Sequence, residues 1–152
     1  MDALRRVTLK AAAAAGVLAA TALHPLRVFA AGWNKDAFQA KTPADALKNL
    51  GAAAPADSSA IVIDAPQIAE NGAVVPIEVT SNLPSTKSIA VLIEKNPFPL
   101  AGKFEFHEGA MPFVKLNVKM GESSNVRVVA EAGGKHYTAV KEVKVTIGGC
   151  GG

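Results

Sequence analysis

The chain predicts an all-β fold: an immunoglobulin-like antiparallel β-sandwich of about seven strands, with a short N-terminal helical arm and a flexible C-terminal Gly-Gly-Cys-Gly-Gly tail. Three observations predict it. From Ser59 to Ile147 the apolar residues recur with a period of two, the spacing of a half-buried strand. Strong turn formers separate the alternating runs: Asn71-Gly72, Asn82-Leu83-Pro84, Asn96-Pro97-Phe98-Pro99, Gly109 with Pro112, Gly121 with Ser123-Ser124, and Gly133-Gly134. The polar half of each run implies sheets with one face toward water, the pattern of antiparallel sheets packed as a sandwich. A single cysteine excludes an internal disulfide, so packing alone must hold the core.

Residues 1–30 read as a cleaved export leader. A basic start, Met1–Lys10, precedes the small and apolar run Ala11–Leu23, and Val28-Phe29-Ala30 offers the residues a signal peptidase inspects. The run is too short for a membrane span, which needs about 20 residues. Arg5-Arg6 ahead of Val7-Thr8-Leu9-Lys10 resembles the twin-arginine export motif, with Thr8 where that motif prefers an aromatic. Arg27 behind the apolar run favours the same route, and the periplasm is the expected compartment.

Residues 31–57 form the expected arm and linker. Asn34 caps a first turn ahead of Ala37 and Phe38. Thr42-Pro43-Ala44-Asp45 supplies a cap, a proline at the first helical position and an acid that completes the cap; Leu47 and Leu50 share a face, and Gly51 closes the helix. Gly51 to Asp57, rich in alanine, reads as a linker without core-forming capacity. Residues 58–147 form the sandwich. Its strands are carried by Ile61 and Ile63; Val75, Ile77 and Val79; Ile89, Val91 and Ile93; Phe104 and Phe106; Val114, Leu116 and Val118; Val126, Val128 and Ala130; and Val143, Val145 and Ile147. Pro76 cannot donate to a ladder, which predicts an edge strand or an outward N–H position. The apolar set shifts from Val140 to Val143, Val145 and Ile147, which predicts a β-bulge near Lys141-Glu142.

Charge narrows the function. The 16 basic and 13 acidic residues include four and one in the leader, Arg5, Arg6, Lys10 and Arg27 against Asp2. Twelve of each remain, a net charge of zero, so charge gives no support to a nucleic-acid or anionic-membrane partner. One cysteine also excludes a thiolate-rich metal site. His107 beside Glu108, and the isolated His136, lack ligand spacing and read as solvent-facing strand residues rather than a metal site. Ser58-Ser59 and Ser123-Ser124 lack a nucleophile-elbow context and read as turn residues. No cofactor motif and no phosphate-cradling loop occurs, and no catalytic residue is assigned.

The chemistry lies in residues 148–152. Cys150 stands between Gly148, Gly149, Gly151 and Gly152, directly after a strand. Glycine imposes the least steric restriction on the backbone, so the segment reads as a tether with one functional atom, thin enough for a narrow channel in another protein. An odd cysteine in an exported chain suggests intermolecular pairing or deliberate reactivity. No cation nearby in sequence lowers its pKa from the reference value of about 8.5, which leaves only a few per cent thiolate at neutral pH. The sulfur therefore reads as cargo-bearing, with activation left to another protein's active site.

Three segments carry a resemblance: Val145-Thr-Ile-Gly-Gly-Cys-Gly-Gly152, Ala65-Pro-Gln-Ile-Ala-Glu-Asn-Gly-Ala-Val-Val-Pro76, and Ile93-Glu-Lys-Asn-Pro-Phe-Pro-Leu100. With the leader and the strand pattern they resemble SoxY, the sulfur-carrier subunit of the SoxYZ complex in periplasmic sulfur oxidation. The resemblance implies that thiosulfate or another reduced sulfur compound is attached covalently at Cys150. It further implies that separate enzymes load, oxidise and hydrolytically release that cargo, and that a SoxZ-like subunit pairs with the carrier as a heterodimer. Two other classes use the same tail differently. A structural or interaction module would form an intermolecular disulfide through Cys150, and a diglycine-terminated modifier would use the carboxylate of Gly152.

Overall fold

The structure is a computed structural model that describes residues 33–146. The leader of residues 1–30, Ile147, and the tail with Gly148, Gly149, Cys150, Gly151 and Gly152 lie outside the described residues. The described part is mostly β. Two short helices, α1 (Lys35–Gln39) and α2 (Pro43–Asn49), precede nine strands: β1 (Ala56–Asp57), β2 (Ile61–Asp64), β3 (Ile68–Ala69), β4 (Val75–Ser81), β5 (Thr86–Ile93), β6 (Leu100–Glu105), β7 (Phe113–Val118), β8 (Ser124–Ala132) and β9 (Lys135–Val145). Each of the seven longer strands contains residues of one of the seven alternating runs, but β6 and β9 begin earlier than those runs and Phe106 lies beyond the end of β6.

They form two sheets. The larger has the order β1-β9-β8-β5-β6, with β3 also paired to β9, and the smaller has the order β2-β4-β7. Val75, Ile77 and Val79 from the small sheet meet Ile89, Val91, Val126, Val128 and Val143 from the large one in a shared core, all buried. The longer strands pair antiparallel as expected. The short β1 and β3 depart from that expectation, because each pairs parallel to the outer edge of β9. Two-residue strands carry no periodicity, so the sequence held no sign of them.

The large sheet does not expose its second face along its centre. Every residue from Ser88 to Ile93 is buried. Ala90, Leu92, Leu100 and Val129 point away from the shared core and pack instead under Ala37, Ala40 and Ala46, with Phe38, Leu47 and Leu50 around them. The helices begin as the caps predict: Asn34 Oδ1 accepts from Ala37 N at 3.1 Å and Thr42 Oγ1 accepts from Asp45 N at 3.1 Å. The Gly51–Asp57 segment also contributes to packing, since Ala52 is only 2 % exposed.

The two predicted irregularities resolve differently. β4 is the central strand of the small sheet, but β2 reaches only as far as the pair Asp64 and Glu78, so at Pro76 the strand has β7 alone beside it. The bulge at Lys141-Glu142 is absent: β8 and β9 pair without a break from Ser124 opposite Val143 to Ala132 opposite Lys135. Val140 lies on the outer face, 44 % exposed. Lys141 takes the inward position between Ala139 and Val143, and its Nζ reaches the Ile63 carbonyl at 3.3 Å. A lysine stem covers apolar surface while its ammonium escapes at the sheet edge.

Candidate functional site

The chain runs into the candidate arm at the end of β9, and the last described residues there are held from three directions. On the outer side, Lys144 N donates to the Gln67 carbonyl at 3.0 Å and Thr146 N donates to the Ala69 carbonyl at 3.1 Å. Ile68 and Ala69 are the β3 residues that pair with Lys144 and Val145. From β8's leading turn, Ser123 Oγ accepts from Val145 N at 2.9 Å. From below, Met120 N donates to the Gly72 carbonyl at 2.7 Å, and Met120 is 2 % exposed. A Cβ on Gly72 would collide with the Met120 carbonyl oxygen and stand 2.9 Å from Val145 Cγ1. Only glycine lets these backbones approach so closely.

A second layer fixes the neighbouring turns. Asn71 Oδ1 accepts from Ala73 N at 2.9 Å, closing an Asx turn around Gly72. Asn96 Nδ2 donates to the Lys119 carbonyl at 2.8 Å, and Ser124 Oγ accepts from Lys95 N at 3.0 Å. Glu94 receives both Arg127 Nε at 2.7 Å and Asn125 Nδ2 at 3.0 Å, all three partly buried. An Arg–carboxylate pair that is half screened from water and shares a further donor orients its strand ends more firmly than an exposed pair. The described residues of the three sequence segments that carried the resemblance thus meet at one end of the sheets. Residues 65–76 supply β3 and the Gly72 seat, residues 93–100 supply the β5–β6 turn, and Val145 begins the third.

The other sequence candidates fall elsewhere. His107 is exposed in the turn after β6 rather than on a strand, and His136 lies near the start of β9. Among the described residues no three His, Cys, Asp or Glu side chains gather as a metal group would. Both histidines border the end opposite the arm, where a cleft of about 740 Å³ opens between Leu83–Ser88 and Phe106–Pro112, with His107 and Glu131 in its wall. On the outer face of the small sheet, Glu78 Oε1 lies 2.6 Å from Lys115 Nζ; its hydrogen bond, and then its charge, raise the lysine pKa above 10.5. Ser123 lies in the bend before β8, as its sequence implied, whereas Ser124 is the buried first residue of β8 rather than a turn residue, and the hydroxyls of both tie strand ends together. Sequence reading missed Ala69, Gly72, Met120 and Ser123 as the seat of the arm. Asn71-Gly72 was visible as a turn, and the close approach that demands the glycine was not.

Residues 47–150 match the family model described as "Sulfur oxidation protein SoxY". Among solved structures, the sulfur carrier protein SoxY from Chlorobium limicola f thiosulfatophilum is 41 % identical, with a TM-score of 0.62 over 68 % of this chain and 94 % of that one. A superoxide reductase (neelaredoxin) from Ignicoccus hospitalis shares the fold at a TM-score of 0.51 and 22 % identity, covering 57 % of this chain and 80 % of that one. No curated protein matches. The match over residues 47–150, reaching from α2 through every strand to the cysteine itself, places this chain in the SoxY family of sulfur oxidation proteins.

Proposed function

We propose that this protein is a periplasmic sulfur carrier, exported by the twin-arginine route, which holds sulfur intermediates covalently on Cys150 and presents them to the enzymes of a sulfur-oxidation pathway. The observation that carries the reading is the position of Cys150, five residues beyond the end of a strand held by Ala69, Gly72 and Ser123, in a chain of the SoxY family. An immunoglobulin-like handle of this kind gives each partner enzyme a firm grip, and the glycines at 148, 149, 151 and 152 give the thiol freedom to enter an active site. It acts as a covalent substrate carrier rather than an enzyme, and a SoxZ-like subunit completes a heterodimer.

Loading with thiosulfate has a fixed balance. The Cys150 thiol loses its proton, a new S–S bond forms to the sulfane sulfur of thiosulfate, and two electrons leave. Those electrons pass to an acceptor held by the loading enzyme. Hydrolysis at the far end of the cargo then releases sulfate without cutting the bond to Cys150. Covalent attachment keeps small anions from diffusing away and raises their effective concentration at each docked enzyme.

The test is Cys150→Ser. Folding and subunit pairing stay intact, and sulfur-dependent electron flow through the pathway is lost. Normal turnover in that variant excludes the carrier reading.

A further inference from the structure

We propose that Asn71-Gly72 is a site of covalent modification, a succinimide-forming pair guarded by the closed seat under the end of β9, and that isoaspartate formed there when the seat opens keeps it from closing again. The inference goes beyond the carrier reading and does not involve Cys150.

The sequence singles out this pair. Of the seven asparagines in the chain, Asn71 alone precedes glycine; the others precede Lys35, Leu50, Leu83, Pro97, Val118 and Val126. Cyclisation needs the next residue's amide nitrogen to attack the asparagine Cγ. A Cβ on that residue crowds the approach, a branched one most, and proline has no N–H to give. The structure leaves both reacting groups unengaged. Among the described residues Gly72 N donates to no group, and the Asn71 side chain is held only through Oδ1, which accepts from Ala73 N at 2.9 Å. The Nδ2 atoms of Asn34, Asn49, Asn96 and Asn125 are by contrast each tied to an oxygen at 2.8–3.0 Å. Asn71 is also exposed, so water has access to the group that must leave and to the ring that forms.

The chemistry balances with water alone. Gly72 N bonds to Asn71 Cγ, the Cγ–Nδ2 bond breaks, and ammonia leaves carrying the proton that Gly72 N gives up. Water then opens the cyclic imide at one of its carbonyls. Opening at Cγ gives aspartate in an unchanged main chain, and its carboxylate still accepts from Ala73 N. Opening at the main-chain carbonyl gives isoaspartate, in which the backbone runs through Cβ and Cγ and is longer by one bond of about 1.5 Å. The seat has no room for that bond. A Cβ on Gly72 would already collide with the Met120 carbonyl oxygen, and Gly72 O accepts from Met120 N at 2.7 Å. The same contacts guard the pair. Ring closure turns the peptide plane between Asn71 and Gly72, which pulls Gly72 O from Met120 N and Asn71 Oδ1 from Ala73 N. The reaction therefore runs through the opened seat, at a rate set by how often the seat opens.

The experiment follows the purified protein in mildly alkaline buffer at growth temperature. Native wild type is compared with wild type unfolded in denaturant and with native Ser123→Ala, which loses the hydrogen bond to Val145 N. Peptide mapping reads the mass gain of deamidation, and labelling by an isoaspartyl methyltransferase reads isoaspartate. The unfolded chain is expected to form isoaspartate at residue 71 before any other asparagine reacts. In the native chain the rate is lower by about tenfold or more, as for any reaction that waits on local opening. In Ser123→Ala it exceeds the native wild-type rate by about two- to tenfold, the ratio that one lost hydrogen bond supplies. The isolated isoaspartate form exchanges its Val145 and Thr146 amide hydrogens faster than wild type, whereas Asn71→Asp exchanges them as wild type does. No isoaspartate at residue 71 in the unfolded chain, a native rate equal to the unfolded one, or a native rate unchanged in Ser123→Ala overturns the guarded site. Wild-type exchange in the isoaspartate form overturns its effect on the seat. Sulfur loading enters none of these readings, so each outcome leaves the carrier reading standing.

Discussion

The two ends of this β fold differ in a way that reverses the usual search for a functional site. The end near His107 has the roomy cleft, and beside it sit Ser85 and Gly109 in the left-handed region, at φ of 56° and 84°. The end near Thr146 offers a tight seam: a glycine that no other residue can replace without displacing Met120, a serine hydroxyl bonded to the Val145 amide, and a two-residue strand laid against β9. A protein that performs chemistry needs a cavity to surround its substrate. A protein that delivers substrate into someone else's cavity needs a firm root for the segment that carries it, and the proposed carrier role would use the seam as that root.

The comparison is sharpened first by a core change common to both ends. Leu92→Ala empties a fully buried position between β5 and the helices, and is expected to cost about 2–5 kcal/mol, read by denaturant unfolding. A loss under 1 kcal/mol would mean that the helices do not cover the sheet. Gly72→Val comes next. Overpacking against Met120 and Val145 is expected to cost about 1–3 kcal/mol and to speed hydrogen exchange at the Val145 and Thr146 amides. Unchanged exchange there would show that Gly72 is not part of the arm's seat. Ser123→Ala removes one hydrogen bond to Val145 N and is expected to cost about 0.5–1.5 kcal/mol, with the same two amides affected.

The smallest effect belongs to Glu78 and Lys115. A lysine whose folded pKa is raised adds stability that is fully present at neutral pH and is lost as pH climbs through that raised value, above 10.5. The pair is exposed, so Lys115→Met should leave stability at pH 7 almost unchanged and flatten its decline at high pH. A clear loss at pH 7 would show that the pair matters more than its exposure allows.

Much of the fold was legible because seven strands alternate cleanly and are separated by glycine, proline and asparagine. The covered outer face was legible in principle. Ala90 and Leu92 make Ile89–Ile93 apolar at every position, the mark of a strand buried on both sides, whereas an alternating reading notices only Ile89, Val91 and Ile93. The predicted bulge failed because residue type was taken for side-chain direction: Lys141 points inward and Val140 outward, and the ladder never slips. At the site, Cys150 stands out by composition and position. Its seat does not, because it is made by backbone contacts between residues far apart in sequence, Ala69 with Thr146 and Gly72 with Met120, that leave no local pattern.

The central claim is that Cys150 bears sulfur covalently while the rest of the chain serves as its mount. Intact-mass analysis of the protein recovered from cells oxidising thiosulfate tests it most directly. The account predicts a ladder of sulfur-containing adducts, confined to the peptide with Cys150, removed by a thiol reductant, and missing from cells grown without reduced sulfur. An unmodified thiol under all these conditions, or only a stable disulfide dimer indifferent to sulfur supply, would contradict it.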